Sequence, residues 1–211
     1  MFRVIQSYKA PDRYLIYGPS GSGKSFYAFM RTRPFQGKRY VIDMDGGAEY
    51  LCSAGDKYYS PSNHIEFEKA VRMAISEKPP CIIIDGITTY WASMVGNGID
   101  VAVRRAEQKK QDSSVSAIRI DPGMWSAYKT RMEGLLTELR VSGRNIYLIQ
   151  RAKEIRPEGG KKEDVFWSPE GPDIPSYAMD TVIFCKAPGN TLVEKVRKNP
   201  LPESEGTDKK E

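Results

Sequence analysis

Three things are scarce in this chain. Of its 211 residues only three are cysteine (Cys52, Cys81 and Cys185), odd in number and scattered without a C-x-x-C pair. That excludes a disulfide framework and a cysteine zinc site, and leaves three buried thiols in a reducing compartment. Histidine occurs once, at His64, where a helix is expected to begin; its role is read as structural or exposed rather than catalytic. Long apolar runs are missing as well. Nothing approaches the roughly 18 residues of a membrane span, and "MFRVIQSYKAPDR" lacks the apolar core of a signal peptide. A soluble, cytoplasmic protein with no membrane partner is expected. The net charge of +5 is modest for a nucleic-acid binder, so the placement of basic residues matters more than their sum. No internal repeat is present. The length suits one α/β domain, expected over 1–199. The polar, proline-bearing end "NPLPESEGTDKKE" predicts a disordered tail over 200–211.

What is present is a set of short apolar runs: "RYLIYG" (13–18), "RYVID" (39–43), "CIIID" (81–85) and "NIYLIQ" (145–150). Each is apolar throughout, as expected of parallel strands buried on both faces. Helical patterns lie between them. Lys24 to about Thr32 follows a glycine turn, and Asn63 opens a second helix with Glu66 three residues on, the spacing of a capping box. Asp121 and Pro122 open a third, whose stripe of Trp125, Tyr128, Met132, Leu135, Leu136 and Leu139 is read as core. After Pro175, "DTVIFCK" and "TLVEKVR" flank "APGN" as an antiparallel hairpin. Together these predict a three-layer α/β fold with a mostly parallel central sheet closed by a C-terminal hairpin.

Chemistry enters with "GPSGSGKS". Gly18, Gly23, Lys24 and Ser25 match G-x-x-x-x-G-K-[ST] between a strand and a helix. The stretch Gly18, Pro19, Ser20, Gly21, Ser22, Gly23, Lys24, Ser25 and Phe26 is therefore expected to hold ATP. Its backbone N–H groups would face the phosphates, Lys24 would reach the β- and γ-phosphates, and Ser25 would ligate Mg²⁺. Asp85 ends an apolar strand, where a carboxylate can hold Mg²⁺ through water as in a Walker B motif. For the water-orienting carboxylate, "VIDMDGGAEY" offers Asp45 just beyond its strand, with Glu49 as a longer-armed fallback. Gln150 ends the fourth strand, where its amide can sense the γ-phosphate.

The order of these pieces resembles the RecA-like P-loop ATPases over residues 12–199. It looks most like the short phage-encoded RecA-like proteins of the Sak-type single-strand annealing group. The resemblance rests on "GPSGSGKS", "VIDMDGG", "YYSPSNHIEFEKAV", "CIIIDGITTYW", "MWSAYKTRMEGLLTELR", "NIYLIQRAKE" and "DIPSYAMDTVIF". It implies that Asp45 stands where the family carries its catalytic glutamate, a departure by one methylene. It implies that Gln150 heads a DNA-binding loop. Lys195 and Arg197 resemble the K-x-R fingers of the RecA and KaiC families, which reach into a neighbouring subunit's nucleotide. A homo-oligomer, ring or filament, follows from that likeness.

Two segments are expected to meet DNA. Residues 95–120 carry Arg104 and Arg105 on a short basic helix. Residues 151–172 carry Arg151, Lys153, Arg156, Lys161 and Lys162 beside Phe166 and Trp167. Cations for phosphates and rings for unpaired bases suit single strands, although both segments also hold acids. The leading expectation is an Mg-dependent ATPase, stimulated by single-stranded DNA, that promotes annealing or recombination, with a single-strand-binding protein as a further partner. Two alternatives remain: a P-loop kinase of a nucleotide or small acceptor, with Arg151 and Arg156 as its lid, and a KaiC-like regulatory ATPase without DNA.

Overall fold

The computed structural model describes residues 10–109, 114, 119–156 and 166–196. The four apolar runs form strands β1 (Arg13–Gly18), β2 (Arg39–Asp43), β4 (Cys81–Asp85) and β5 (Asn145–Ile155). Between and after them lie β3 (Lys57–Tyr59), β6 (Phe166–Pro169), β7 (Thr181–Ala187) and β8 (Asn190–Val196). The sheet order is β3-β2-β4-β5-β1-β7-β8, with β6 paired to the outer half of β5. From β3 to β7 every pairing is parallel; β7–β8 and β5–β6 are antiparallel. The expected three-layer fold with its terminal hairpin is therefore the observed one.

Strand residues alternate between two cores. Leu15, Tyr17, Ile82, Ile84, Ile146, Leu148, Val182 and Phe184 face one side. There they meet α2 (His64–Glu77), α3 (Ile87–Gln108) and α4 (Pro122–Val141), through Phe67, Val71, Tyr90, Met94, Met132 and Leu135. Ile16, Ile83, Tyr147, Ile149, Ile183 and Cys185 face the other side, against Ala28 and Phe29 of α1 (Lys24–Arg31). Helices on both faces are what a parallel sheet needs, because each βαβ crossover leaves its helix on a face. A short α5 (Ile174–Ala178) leads into β7.

Several local expectations needed revision. Asn63 does cap α2, accepting from the N–H of Ile65 and Glu66 (both 3.0 Å). Glu66, however, accepts from Ser62 N–H and Oγ rather than from the Asn63 backbone N–H, so the box closes one residue before the cap. Asp121 caps α4 through Gly123 N–H. Within α4 the buried stripe is Met132, Leu135, Leu136 and Leu139. Trp125 is 37 % exposed and instead packs tilted against Trp91 of α3, ring centroids 5.7 Å apart. The segment read as a short basic helix within 95–120 belongs to the 22-residue α3, which starts directly after Asp85 and Gly86. The segment read as a loop over 151–172 is in part a ribbon, since β5 runs on to Ile155 and β6 pairs back along it. Among the three thiols, Cys81 and Cys185 are buried and Cys52 is half-buried. His64 is buried, with its backbone N–H donating to Ser93 Oγ. The expected tail, 200–211, lies outside the described residues.

Candidate nucleotide site

Register places the candidate residues side by side. Gly18 on β1 lies opposite Arg151 on β5, and Tyr17 opposite Gln150. Asp43 on β2 lies opposite Asp85 on β4. β1, β2 and β4 end at one sheet edge, past which β5 runs on, and this is the edge where ligands of open α/β sheets bind. β5 separates the phosphate-loop strand β1 from the Asp85 strand β4.

The glycine turn is shaped for close approach. A Cβ on Gly18 would lie 2.2 Å from the carbonyl oxygen of Cys185 on β7, so only glycine fits there. Gly23 caps α1 with φ +83°, a backbone conformation that favours glycine. No side chain caps α1 and no acid lies in its first turn, in contrast to the caps on α2 and α4. Its leading N–H groups are thus left for another acceptor. Ser22 Oγ is buried without a hydrogen-bond partner, a rare condition that an added polar ligand relieves. Lys24 Nζ meanwhile folds back onto the carbonyl of Pro19 (2.7 Å). These features fit a polyphosphate.

The metal side of the site fits as well. Ser25 Oγ donates to Asp85 Oδ2 at 2.5 Å, bringing together a hydroxyl and a carboxylate, the hard oxygen donors Mg²⁺ prefers. Asp85 is almost completely buried, and burial pushes its pKa up to about 6. The Ser25 hydrogen bond and Lys24 oppose the rise, while Asp43 and Asp45 add to it. A buried carboxylate raised in this way is one that a cation at the same place would restore to charge. Lys24 is lowered from its ordinary value, first by burial and then by Arg151, against the pull of Asp85 and Asp45.

The two acids of "VIDMD" divide the work. Asp43 is fully buried and accepts from the N–H groups of Asp45, Gly46 and Ala48 and from Tyr58 Oη, all at 2.8–3.0 Å. It fixes the loop. Asp45 projects from that loop, accepting from Thr89 Oγ1 and lying 3.5 Å from Arg151 Nη2. Arg151 also donates to Thr89 Oγ1 at 2.5 Å. Glu49 is exposed in a separate turn, Glu49–Leu51. Gln150 is buried; its Nε2 donates to the carbonyl of Glu170 (2.8 Å) and its Oε1 has no partner. Phe26 is 58 % exposed beside the turn.

The remaining candidates are spread. Arg104 and Arg105 are exposed near the end of α3. At 1.5 Å per residue they stand about 25 Å along the helix from its start at the nucleotide edge. Lys153 and Arg156 are exposed on or beside the β5 extension, Arg156 paired with Glu154 at 2.6 Å. Lys195 is opposite Val182 in the β7–β8 pairing. Arg197, Lys161 and Lys162 lie outside the described residues. Thr88 and Thr89 went unnoticed in sequence, although both hydroxyls directly follow the Asp85–Gly86 strand end. Thr88 Oγ1 accepts from the backbone N–H of Arg151 (3.0 Å). Among the described residues no group of three His, Cys, Asp or Glu is arranged for a metal, and no helix is long and apolar enough to cross a membrane.

Fold and edge together define a P-loop ATPase of RecA-like architecture. The chain belongs to the AAA domain family, whose model matches residues 10–206. Its fold is similar to that of the RadB recombinase, at 16% identity and a TM-score of 0.55, covering 90% of this chain and 84% of that one. An ATPase from the type III secretion system of pathogenic bacteria matches at 15% identity and a TM-score of 0.43, over 83% and 52% of the two chains. No curated protein matches.

Proposed function

We propose that this chain is a Mg²⁺-dependent ATPase that binds single-stranded DNA and works in annealing or recombination as a homo-oligomer. The observation that carries the catalytic half is the convergence of Lys24, Ser25, Asp85 and Asp45 on one sheet edge. Bound Mg²⁺–ATP supplies the phosphoanhydride to be cleaved and a cation to offset its charge. Ser25 Oγ would hold the metal directly and Asp85 through water. Lys24 gives up Pro19 to neutralise phosphate oxygens, and the uncapped N-terminus of α1 donates its N–H groups. Asp45, oriented by Thr89, accepts the proton of the attacking water. Asp43 does no chemistry; it keeps Asp45 in place.

The DNA half is supported by the continuity of β5. One strand carries Gln150 at the nucleotide edge and Lys153 on the exposed ribbon three residues later, beside Arg156, Phe166 and Trp167. A change felt at Gln150 therefore has a rigid path to cations and rings of the kind that hold single strands. Lys195 and Arg197 are proposed as fingers offered to a neighbouring subunit, and a single-strand-binding protein as a further partner.

The test is ATP hydrolysis by wild type and Lys24→Ala, with and without single-stranded DNA, at two salt concentrations. Hydrolysis is expected to rise with DNA, to lose that rise as salt increases, and to vanish in Lys24→Ala. Lys153→Ala should keep basal hydrolysis and weaken the response to DNA. Hydrolysis that ignores DNA at low salt would remove the recombination half, and phosphate passed to a nucleoside monophosphate would make the protein a kinase.

A further inference from the structure

Arg151 is out of place for a DNA contact. It is the β5 residue directly opposite Gly18, the first residue of the phosphate turn. Its guanidinium lies on Thr89 Oγ1 and Asp45 Oδ1, not on solvent-facing partners along the ribbon. Its main chain is pinned on both sides, N–H to Thr88 Oγ1 and C=O to Glu170 N–H (2.8 Å). The side chain can therefore leave Asp45 while its backbone stays put.

From this arrangement we infer that Arg151 reads the third phosphate of the nucleotide, resting on Asp45 and Thr89 when that phosphate is absent. The inference deepens the ATPase reading and rests on it. Two cations, Lys24 and Arg151, share this edge with Asp45 and Asp85, close enough that Arg151 and both of these carboxylates act on the Lys24 ammonium, while the buried Asp43 beside Asp85 is held by the loop's own N–H groups. In the ligand-free protein Arg151 rests against Asp45, and Asp85 and Asp45 act on Lys24. A triphosphate changes the balance, because it competes with Asp45 for Arg151 with more charge and with oxygens suited to a guanidinium fork. A diphosphate lacks the group that reaches beyond the turn toward Asp45. Arg151 then remains on the acid. Releasing Asp45 only when the third phosphate is present ties the water-activating carboxylate to the correct ligand. Roughly half of the Arg151 side chain is exposed (45 %), against 31 % for Asp45, so the resting pair is a weak one that an anion can displace.

The experiment measures equilibrium binding of fluorescent mant-ATP and mant-ADP with Mg²⁺ to the full chain, without turnover, for wild type, Arg151→Ala, Arg151→Lys and Lys24→Ala. Wild type is expected to prefer the triphosphate. Arg151→Ala should lose on the order of tenfold in mant-ATP affinity, the scale of a charged hydrogen bond, with mant-ADP within twofold; Arg151→Lys should fall between. Lys24→Ala should weaken both nucleotides. Unchanged mant-ADP binding doubles as proof that Arg151→Ala is folded. An unaltered ATP-to-ADP ratio in Arg151→Ala, with or without weaker DNA binding, overturns the inference and leaves the ATPase reading standing. Wild type that binds neither nucleotide overturns both.

Discussion

Asp85 holds the clearest conflict between stability and function at the level of single residues. Its burial works against its charge more than Lys24 and the Ser25 hydrogen bond favour it, and its pKa near 6 stands above the ordinary 3.8. Folding raises this carboxyl, so the folded chain binds the extra proton. The stability it contributes is complete below about pH 4 and is lost as pH rises through about 6. The span corresponds to something on the order of 3 kcal/mol. Asp85→Asn keeps the shape and still accepts from Ser25, so the ligand-free variant should melt at a higher temperature than wild type at pH 7.5. The difference should close as the pH is lowered toward 4, while Mg²⁺-dependent nucleotide binding is lost throughout. Thermal melts across that range, with and without Mg²⁺–ATP, decide it. Asp43, two residues from Asp45, is tied into the loop by three backbone hydrogen bonds and one from Tyr58 Oη.

Elements explain how the site is assembled from distant parts of the chain. The phosphate turn is walled by β7, whose Cys185 carbonyl faces Gly18, and by the β7–β8 turn, whose Pro188 Cα lies 3.4 Å from where a Cβ on Gly23 would stand. Gly18→Ala should therefore fail through the sheet rather than the ligand. It should force β1 and β7 apart, lowering stability by several kcal/mol, a magnitude typical of overpacking at its upper end. Urea unfolding would show this, and a variant as stable as wild type would mean that β7 yields easily. The main elements were legible in sequence because apolar strands buried on both faces leave an unambiguous run, as at "CIIID" and "NIYLIQ". The three-residue edge strand β3, "KYY", left none; it is too short, and only its pairing with β2 defines it. The length of α3 was hidden because its buried face uses Thr88 and Gly98 among Ile87, Tyr90 and Met94, residues that do not read as a stripe. The phosphate turn, Asp85 and Asp45 could be found from motif and strand ends. The partnership of Asp45 with Arg151 could not, because 106 residues separate them and only the sheet order brings them together.

For the molecule as a whole, nucleotide and fold are linked. Because the proposed ligand touches β1, α1, β2 and β4, it should act as a clamp on most of the domain. Mg²⁺–ATP at a hundred times its dissociation constant is expected to add about 2.7 kcal/mol of stability. For a chain of this size that is roughly 5–10 °C in melting temperature. Lys24→Ala should show little of it, and a wild-type melting curve indifferent to saturating Mg²⁺–ATP would contradict the proposed site. The contact between the first strand and the last hairpin has a consequence in time. A ribosome has finished the phosphate turn by residue 25, yet Cys185 and Pro188, which wall it, are among the last residues of the fold to be made. At bacterial or slower rates of synthesis the interval is roughly ten to thirty seconds. Throughout it the nascent chain carries a nucleotide motif that is not yet walled by β7 and the β7–β8 turn, and so is not yet a complete nucleotide site.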